Sequence, residues 1–118
     1  GEPQVEGLVR VRQLAELFND PCRLTVETIK HEGSYPRRQI QDRIAMVRAL
    51  FTEVKVALHD VVIEVTAKDT AVVRGTIRLQ GARTGEPMAD VQEFKAEMGK
   101  RDGRWLFTAV TIVEVLER

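Results

Sequence analysis

Four strand-like segments in succession fill the second half of this chain, and they limit the possible folds more than any other feature. They are VKVALHDVVIEVTA, TAVVRGTIRLQGA, ADVQEFKAEMGK and a last segment from Arg104 to Val115. The segments between them, AKDT, RTGEP and RDG, contain the Asp, Gly and Pro residues that tight turns require. Strands joined by short turns pair antiparallel with their sequence neighbours, so the pattern predicts a four-stranded meander.

The first half of the chain carries helical periodicity at both of its ends. Between residues 5 and 18, apolar residues recur at steps of three and four, which predicts an amphipathic helix that Asn19-Asp20-Pro21 ends. A second periodic segment predicts a helix that Ser34 caps, that has Pro36 in its first turn, and that runs to about Thr52. Its apolar stripe consists of Ile40, Ile44, Val47, Leu50 and Phe51.

A short strand is predicted between the two helices. Residues 23–31 alternate in polarity and include four β-branched residues, and Glu32-Gly33-Ser34 follows as a turn. Two helices followed by an antiparallel meander indicate the α+β class. We expect the N-terminal helices to pack on one face of a strongly curved antiparallel sheet.

The last strand is apolar on both of its faces. Strict alternation predicts one row made of Trp105, Phe107, Ala109, Val113 and Val115, and an opposite row made of Leu106, Val110, Ile112 and Leu116. The helices can cover only one face, and the chain has no second helical layer for the other. An extensive apolar face is best explained by an interface. The sequence therefore predicts a homodimer formed through the outer face of the sheet.

Composition and charge exclude several classes of partner. The 118 residues suffice for a single domain, 1–118, in which residues 1–4 are expected to be disordered or left over from a tag. Eighteen basic residues balance eighteen acidic ones, so no nucleic-acid partner is expected. No apolar run reaches the length that crosses a bilayer, so no membrane partner is expected either.

The sequence contains no recognisable set of metal ligands or cofactor motif. Two histidines and one cysteine are widely spaced, and the glycine patterns that bind phosphates are absent, so no metal and no cofactor is predicted. The compartment stays open between the cytoplasm and, if a signal peptide was removed, the periplasm.

Three strings occur in a recognisable order: LAELFNDPCRLTVE near the start, DTAVVRG at 69–75 and DGRWLFTAV at 102–110. Over about Leu8 to Val113 they resemble the nuclear-transport-factor-2-like superfamily, which includes ketosteroid isomerase and polyketide cyclases. The resemblance implies a cone with a pocket at its open end and frequent dimerisation through the sheet. The first helix is shorter than is usual in that superfamily, which implies either a shallower pocket or a native first helix that is longer than the part in this sequence.

A pocket of this kind would bind a small apolar ligand, and seven residues are predicted to line it: Phe18, Tyr35, Phe51, Asp90, Gln92, Phe94 and Trp105. Isomerase-type chemistry needs a carboxylate base and a hydrogen-bond donor for a developing oxyanion. Asp90 is the candidate base, with Tyr35 or Gln92 as the donor. The resemblance to ketosteroid isomerase implies a tyrosine on the first helix, and this sequence has none there. His59 and Asp60 are adjacent on a strand, so they point to opposite faces.

Three functions agree with these observations. The first is a non-catalytic small-molecule-binding or accessory domain, which needs no catalytic set. The second is an isomerase, cyclase or dehydratase that uses the carboxylate of Asp90 in the pocket. The third is a protein–protein interaction module. Whether the protein is an enzyme stays undecided at the level of sequence.

Overall fold

The computed structural model describes residues 11–50, 52–83 and 85–115. Residues 11–15 are helical and are called α1. The elements that follow are β1 (Phe18–Val26), a 3-10 turn (Glu27–Ile29), β2 (His31–Tyr35), α2 (Arg37–Leu50), β3 (Thr52–Ala67), β4 (Thr70–Arg83), β5 (Glu86–Arg101) and β6 (Arg104–Val115). The helical residues 11–15 end three residues earlier than the predicted Phe18, which instead begins β1.

A single six-stranded sheet organises the described residues, with the strand order β2-β1-β6-β5-β4-β3. The predicted meander is confirmed, because β3, β4, β5 and β6 pair antiparallel in sequence order. The α+β class with a curved sheet is confirmed as well. One pairing differs from the predicted antiparallel sheet, since β1 lies parallel to β6. Parallel neighbours need a long connection, and here most of the chain separates the two strands.

The region between the helices is a β-hairpin. The predicted strand over 23–31 is therefore right only as far as Val26, and the predicted turn at 32–34 is wrong, since these residues lie in β2. The chain reverses at the 3-10 turn and at Lys30, whose φ of 52° is left-handed. Gly33 lies inside β2, opposite Leu24 of β1. The pairing of β1 with β6 is irregular between Phe18 and Arg23, which accommodates Pro21, a residue with no backbone N–H to donate.

The start of α2 is fixed by β1 and not by the predicted cap Ser34, which lies in β2. The side chain of Asp20 accepts a hydrogen bond from the backbone N–H of Arg37 at 3.0 Å. The guanidinium of Arg37 donates two hydrogen bonds to the carbonyl oxygen of Phe18, at 3.2 and 3.0 Å. Asp20 therefore satisfies one of the free N–H groups at the N-terminus of the helix, as a capping side chain does.

The apolar core lies on the face of the sheet that α2 crosses. Val73, Phe94 and Ala96 are buried at its centre, and the partly buried residues that pack against them are Ile77, Met98, Phe107, Val110 and Ile112. Phe94 pairs with Gly75 across β4 and β5. A Cβ on Gly75 would lie 3.0 Å from the Cε1 atom of the Phe94 ring, so the missing side chain leaves room for the ring.

The predicted alternation along β6 is wrong at two positions. Phe107 pairs with Met98 and Ala109 pairs with Glu97, so Thr108 is an extra residue in β6. Ile112 pairs with Phe94 and Glu114 pairs with Glu93, so Val113 is one extra residue as well. Such a β-bulge reverses the side on which the following residues lie. Phe107 is therefore on the core side together with Val110 and Ile112, although strict alternation places it in the row opposite to theirs.

The outer face of the sheet is polar near its centre. Arg74 pairs with Lys95 there, and Thr76 with Glu93. The exposed apolar side chains of the described residues are concentrated instead on β3, where every residue from Lys55 to Ala67 is exposed. The dimer through the outer face remains a prediction. None of the described helices is long and apolar enough to span a membrane.

We expect replacement of the capping carboxylate to destabilise the protein measurably. Asp20→Ala should lower the free energy of unfolding by about 1 kcal/mol, the usual value of an N-cap side chain. Ser34→Ala is the matched control and should change it by less than about 0.5 kcal/mol, as surface substitutions usually do. Urea denaturation followed by circular dichroism measures both. Equal effects of the two variants would contradict the role assigned to Asp20.

A second prediction concerns the core. Phe94→Ala should cost about 3 kcal/mol or more in free energy of unfolding, because it removes a buried ring and leaves a cavity. Trp105 is the control, because 37% of its surface is exposed. Trp105→Ala should therefore cost clearly less in the same denaturation experiment. A larger loss of unfolding free energy in Trp105→Ala than in Phe94→Ala would show that the core is centred near Trp105 and not near Phe94.

Candidate functional site

A cavity of about 200 Å³ lies beside the C-terminal half of α2, where the helix meets β3, β4 and β5. Its lining residues are Val47, Val54, Leu79, Gln80, Gly81, Ala89 and Asp90. Val47 belongs to the apolar stripe of α2, and Leu79 pairs directly with Asp90 across β4 and β5. The walls are therefore mainly aliphatic, with Asp90 as the acidic residue among the described lining residues.

The carboxylate of Asp90 is held by a neighbour on its own strand. Residues two apart on a strand point to the same face. Gln92 uses this geometry, since its Nε2 donates to Oδ2 of Asp90 at 2.9 Å. Both side chains are partly buried. No described residue donates a hydrogen bond to Oδ1 of Asp90, so this atom retains its full capacity to accept one.

The structure places the other predicted pocket residues away from this cavity. Phe94 belongs to the core, and Phe18 packs on Phe107 with ring centroids 5.5 Å apart. Trp105 pairs with Lys100 at the far end of β5. Phe51 lies outside the described residues.

Tyr35 and Asp90 lie near opposite ends of the sheet. Through β1 and β6, Ser34 is level with Glu97, seven residues along β5 from Asp90. At 3.3 Å per residue this is about 23 Å along the strand direction. One small molecule therefore cannot touch both Tyr35 and Asp90, whereas Gln92 is directly beside the carboxylate.

Tyr35 takes part in an exposed cluster of its own. Its hydroxyl group is 2.5 Å from Nε2 of His31, a distance that indicates a hydrogen bond. The guanidinium carbon of Arg43 is 4.7 Å from the centre of the Tyr35 ring, in a cation–π arrangement. These contacts join β2 to the outer surface of α2.

Neither histidine reaches the cavity. His59 pairs with Thr76 on the outer side of the sheet, and His31 lies beside Tyr35. His59 and Asp60 are adjacent, but Asp60 has a φ of 54° at an irregularity of β3, and no hydrogen bond between their side chains is present among the described residues. The cavity therefore has no His–Asp pair of the kind that activates a nucleophile.

Cys22 is the sole cysteine, and it is buried on β1. Burial removes water from the thiol and raises its pKa from 9.0 to about 11. Nucleophilic chemistry requires the thiolate, which this environment disfavours at neutral pH. Cys22 thus packs as a small apolar residue.

A wider cleft on the outer face carries charges of both signs. It lies beside the irregularity of β3, has a volume of about 600 Å³, and is lined by Glu27, Asp60, Arg74, Gly75, Thr76, Glu93, Phe94, Lys95 and Val113. Within the described ranges, no group of three or more potential metal ligands is present. Of the described side chains that line this cleft, three are acidic and two are basic, so charges of both signs are mixed with only a small acidic excess.

Four apolar side chains line the cavity that were not predicted from the sequence to do so: Val47, Val54, Leu79 and Ala89. A signal for two of them was available. Val47 lies on the predicted helical stripe, and Leu79 is brought opposite Asp90 by the hairpin that joins β4 to β5. The contribution of α2 could not be inferred, because the point where the helix crosses the sheet depends on its anchoring to β1.

Comparison with known proteins identifies the family of this chain and supports its fold. A sequence model of the SnoaL-like domain matches residues 9–111. No curated protein matches the sequence at a significant level. Among solved structures, the Kfla4162 protein from Kribbella flavida has a TM-score of 0.77 at 14% identity, and the match covers 98% of this chain and 93% of that one.

Two further structures are similar at the level of the fold. An NTF2-like protein with a cystatin-like fold from Novosphingobium aromaticivorans has a TM-score of 0.71 at 18% identity, covering 87% of this chain and 68% of that chain. A hexachlorocyclohexane dehydrochlorinase, LinA Type2, has a TM-score of 0.73 at 18% identity, with 91% and 76% covered. At sequence identities this low, structural similarity shows a shared fold and does not show a shared activity. The match over most of the chain, together with the fold, shows that this chain belongs to the SnoaL-like domain family of the NTF2-like superfamily.

Proposed function

We propose that this domain binds a small, mainly apolar molecule that carries one hydrogen-bond donor, without transforming it chemically. The observation that carries the proposal is the carboxylate of Asp90, which is held on one oxygen by Gln92 and faces an aliphatic cavity. Ligand sites commonly combine apolar walls with a few fixed polar groups.

The size of the cavity favours a ligand of one ring. An engineered apolar cavity of roughly 150 Å³ binds benzene, so a space of about 200 Å³ suits a ring with one short substituent. Val47, Val54 and Leu79 would surround such a ring. A larger polycyclic molecule would have to extend out of the cavity into solvent.

The carboxylate defines the polar part of the ligand. An ionised carboxyl group only accepts hydrogen bonds, so it favours a hydroxyl or an ammonium group. Gln92 holds Asp90 in place before the ligand arrives, which lowers the cost of ordering that side chain on binding. An ammonium group would gain most, because its hydrogen bond to the carboxylate is charge-assisted.

The absence of a second titratable group among the described lining residues supports binding without catalysis. Proton transfer to and from a substrate requires an acid or base within hydrogen-bond reach, and usually two such groups. Tyr35 lies too far from Asp90 for that role. Gln92 would be the remaining donor for an isomerase, cyclase or dehydratase, but one of its two amide N–H groups is bound to Asp90, and an amide does not transfer protons as an acid or base does.

A titration with three matched ligands tests the proposal: benzylamine, benzyl alcohol and toluene. Changes in the backbone amide NMR signals should locate binding beside Leu79 and Asp90. We expect affinity to fall in the order given, because the ring is constant and only the donor changes. Asp90→Asn should weaken benzylamine binding by about tenfold or more, since hydrogen bonds to charged groups contribute about 1.5–3 kcal/mol.

Two control variants complete this experiment. Glu97→Gln removes an exposed carboxylate on the outer face and should leave all three affinities unchanged. Val54→Phe places a ring in the cavity and should abolish binding of all three ligands. If no ligand binds the unmodified protein, or if toluene binds as well as benzylamine, the assignment of Asp90 as the anchor is wrong.

A further inference from the structure

The strand β3 is the last strand of the sheet, and its outward edge has no neighbour within the described ranges. It is sixteen residues long, and apolar side chains on it are more than half exposed: Val56, Leu58, Val62, Ile63 and Val65. Long, exposed apolar edges are normally shortened, charged or covered, because their free N–H and C=O groups pair readily with another strand. We therefore expect another strand to pair with this edge of β3.

An irregularity divides β3 into two halves that keep their apolar residues on one face. His59 pairs with Thr76 and Val62 with Arg74, so one additional residue is present in β3, where Asp60 has a φ of 54°. By register, Val56 and Leu58 before the irregularity share the core-side face of the sheet with Ile63 and Val65 after it. Lys55 and Glu64 likewise share the outer side.

We propose that this other strand belongs to a second copy of this chain, whose β3 pairs antiparallel with the first around a two-fold axis between His59 and Asp60. In this register Lys55 lies opposite Glu64 of the second copy, and Val56 lies opposite Ile63 of the second copy. Each contact occurs twice, as two-fold symmetry requires. The result is one continuous twelve-stranded sheet formed from two six-stranded sheets.

Charge complementarity selects this register. Side chains directly opposite each other on one face must match in character, and opposite charges stabilise such a pair. A shift by two residues in either direction keeps the faces aligned, but it places Lys55 opposite Val62 or Thr66. Only the proposed register pairs the positive and negative charges while the apolar residues face each other.

The groups required for this contact are free to make it. Lys55 forms no ion pair with any described residue, and its side chain is exposed. Glu64 is 3.9 Å from Arg74, in a pair whose two side chains are both more than half exposed. Such an exposed pair contributes little to stability, so it does not prevent Glu64 from meeting a second lysine.

The edge contact differs from the dimer predicted through the outer face of the sheet. In the edge dimer, Lys95 at the centre of the outer face remains in solvent. In a face-to-face dimer, Lys95 would be buried. Substitution at this one position therefore separates the two arrangements.

The test is a charge exchange followed by analytical ultracentrifugation at low ionic strength. The unmodified protein should be a dimer. Lys55→Glu alone and Glu64→Lys alone each place like charges opposite one another twice, and each should raise the dissociation constant by about tenfold or more. The double variant K55E/E64K restores opposite charges and should return the constant to within about threefold of its original value. Lys95→Glu is the matched control and should leave it unchanged.

Every outcome of this experiment is decisive. A monomeric unmodified protein overturns the proposal, as does a double variant that dissociates as readily as the single ones. Loss of the dimer in Lys95→Glu, with Lys55→Glu unaffected, would establish the outer-face dimer instead. Should a charge variant fail to fold by circular dichroism, oxidation of V56C/I63C gives an independent answer, because the proposed register yields a covalent dimer and the buried Cys22 does not compete.

Discussion

The contact between Phe94 and Gly75 is the constraint on which the rest of the sheet depends. A sheet this large has one face that the helices cross, and its centre must be filled by a few side chains. The ring of Phe94 lies over a residue without a side chain, so two neighbouring strands approach the same buried ring. Val73 and Ala96 complete this centre, and the partly buried residues of β6 pack around it. Any larger residue at position 75 would displace the ring.

Local patterns predicted the parts of the fold that local interactions determine. Alternating apolar residues and short turns were enough for β3 to β6, and the helical stripe was enough for α2. The hairpin of β1 and β2 was missed because the chain reverses at Lys30, a residue with no particular preference for a left-handed backbone. Gly33, which looked like a turn residue, lies in a strand.

Strict alternation fails wherever a strand gains a residue. Because Thr108 is an additional residue in β6, Phe107 lies on the same side of the sheet as Val110 and Ile112. No pattern in the sequence marks this bulge. The candidate site shows the same limit. Asp90 and Gln92 could be placed together from their spacing of two, whereas Tyr35 was grouped with them by composition alone. The distance between Tyr35 and Asp90 is set by the register of four strands, which no local pattern contains.

The helix α2 links two ends of the molecule mechanically. Its first residue is tied to β1 through Asp20 and the carbonyl of Phe18, while Val47 near its other end forms a wall of the cavity. A helix of fourteen residues is about 21 Å long and is stiff over that length. The wall that Val47 forms thus belongs to the same rigid element that Asp20 and the carbonyl of Phe18 hold at its start, so the shape of the cavity depends on residues that do not line it.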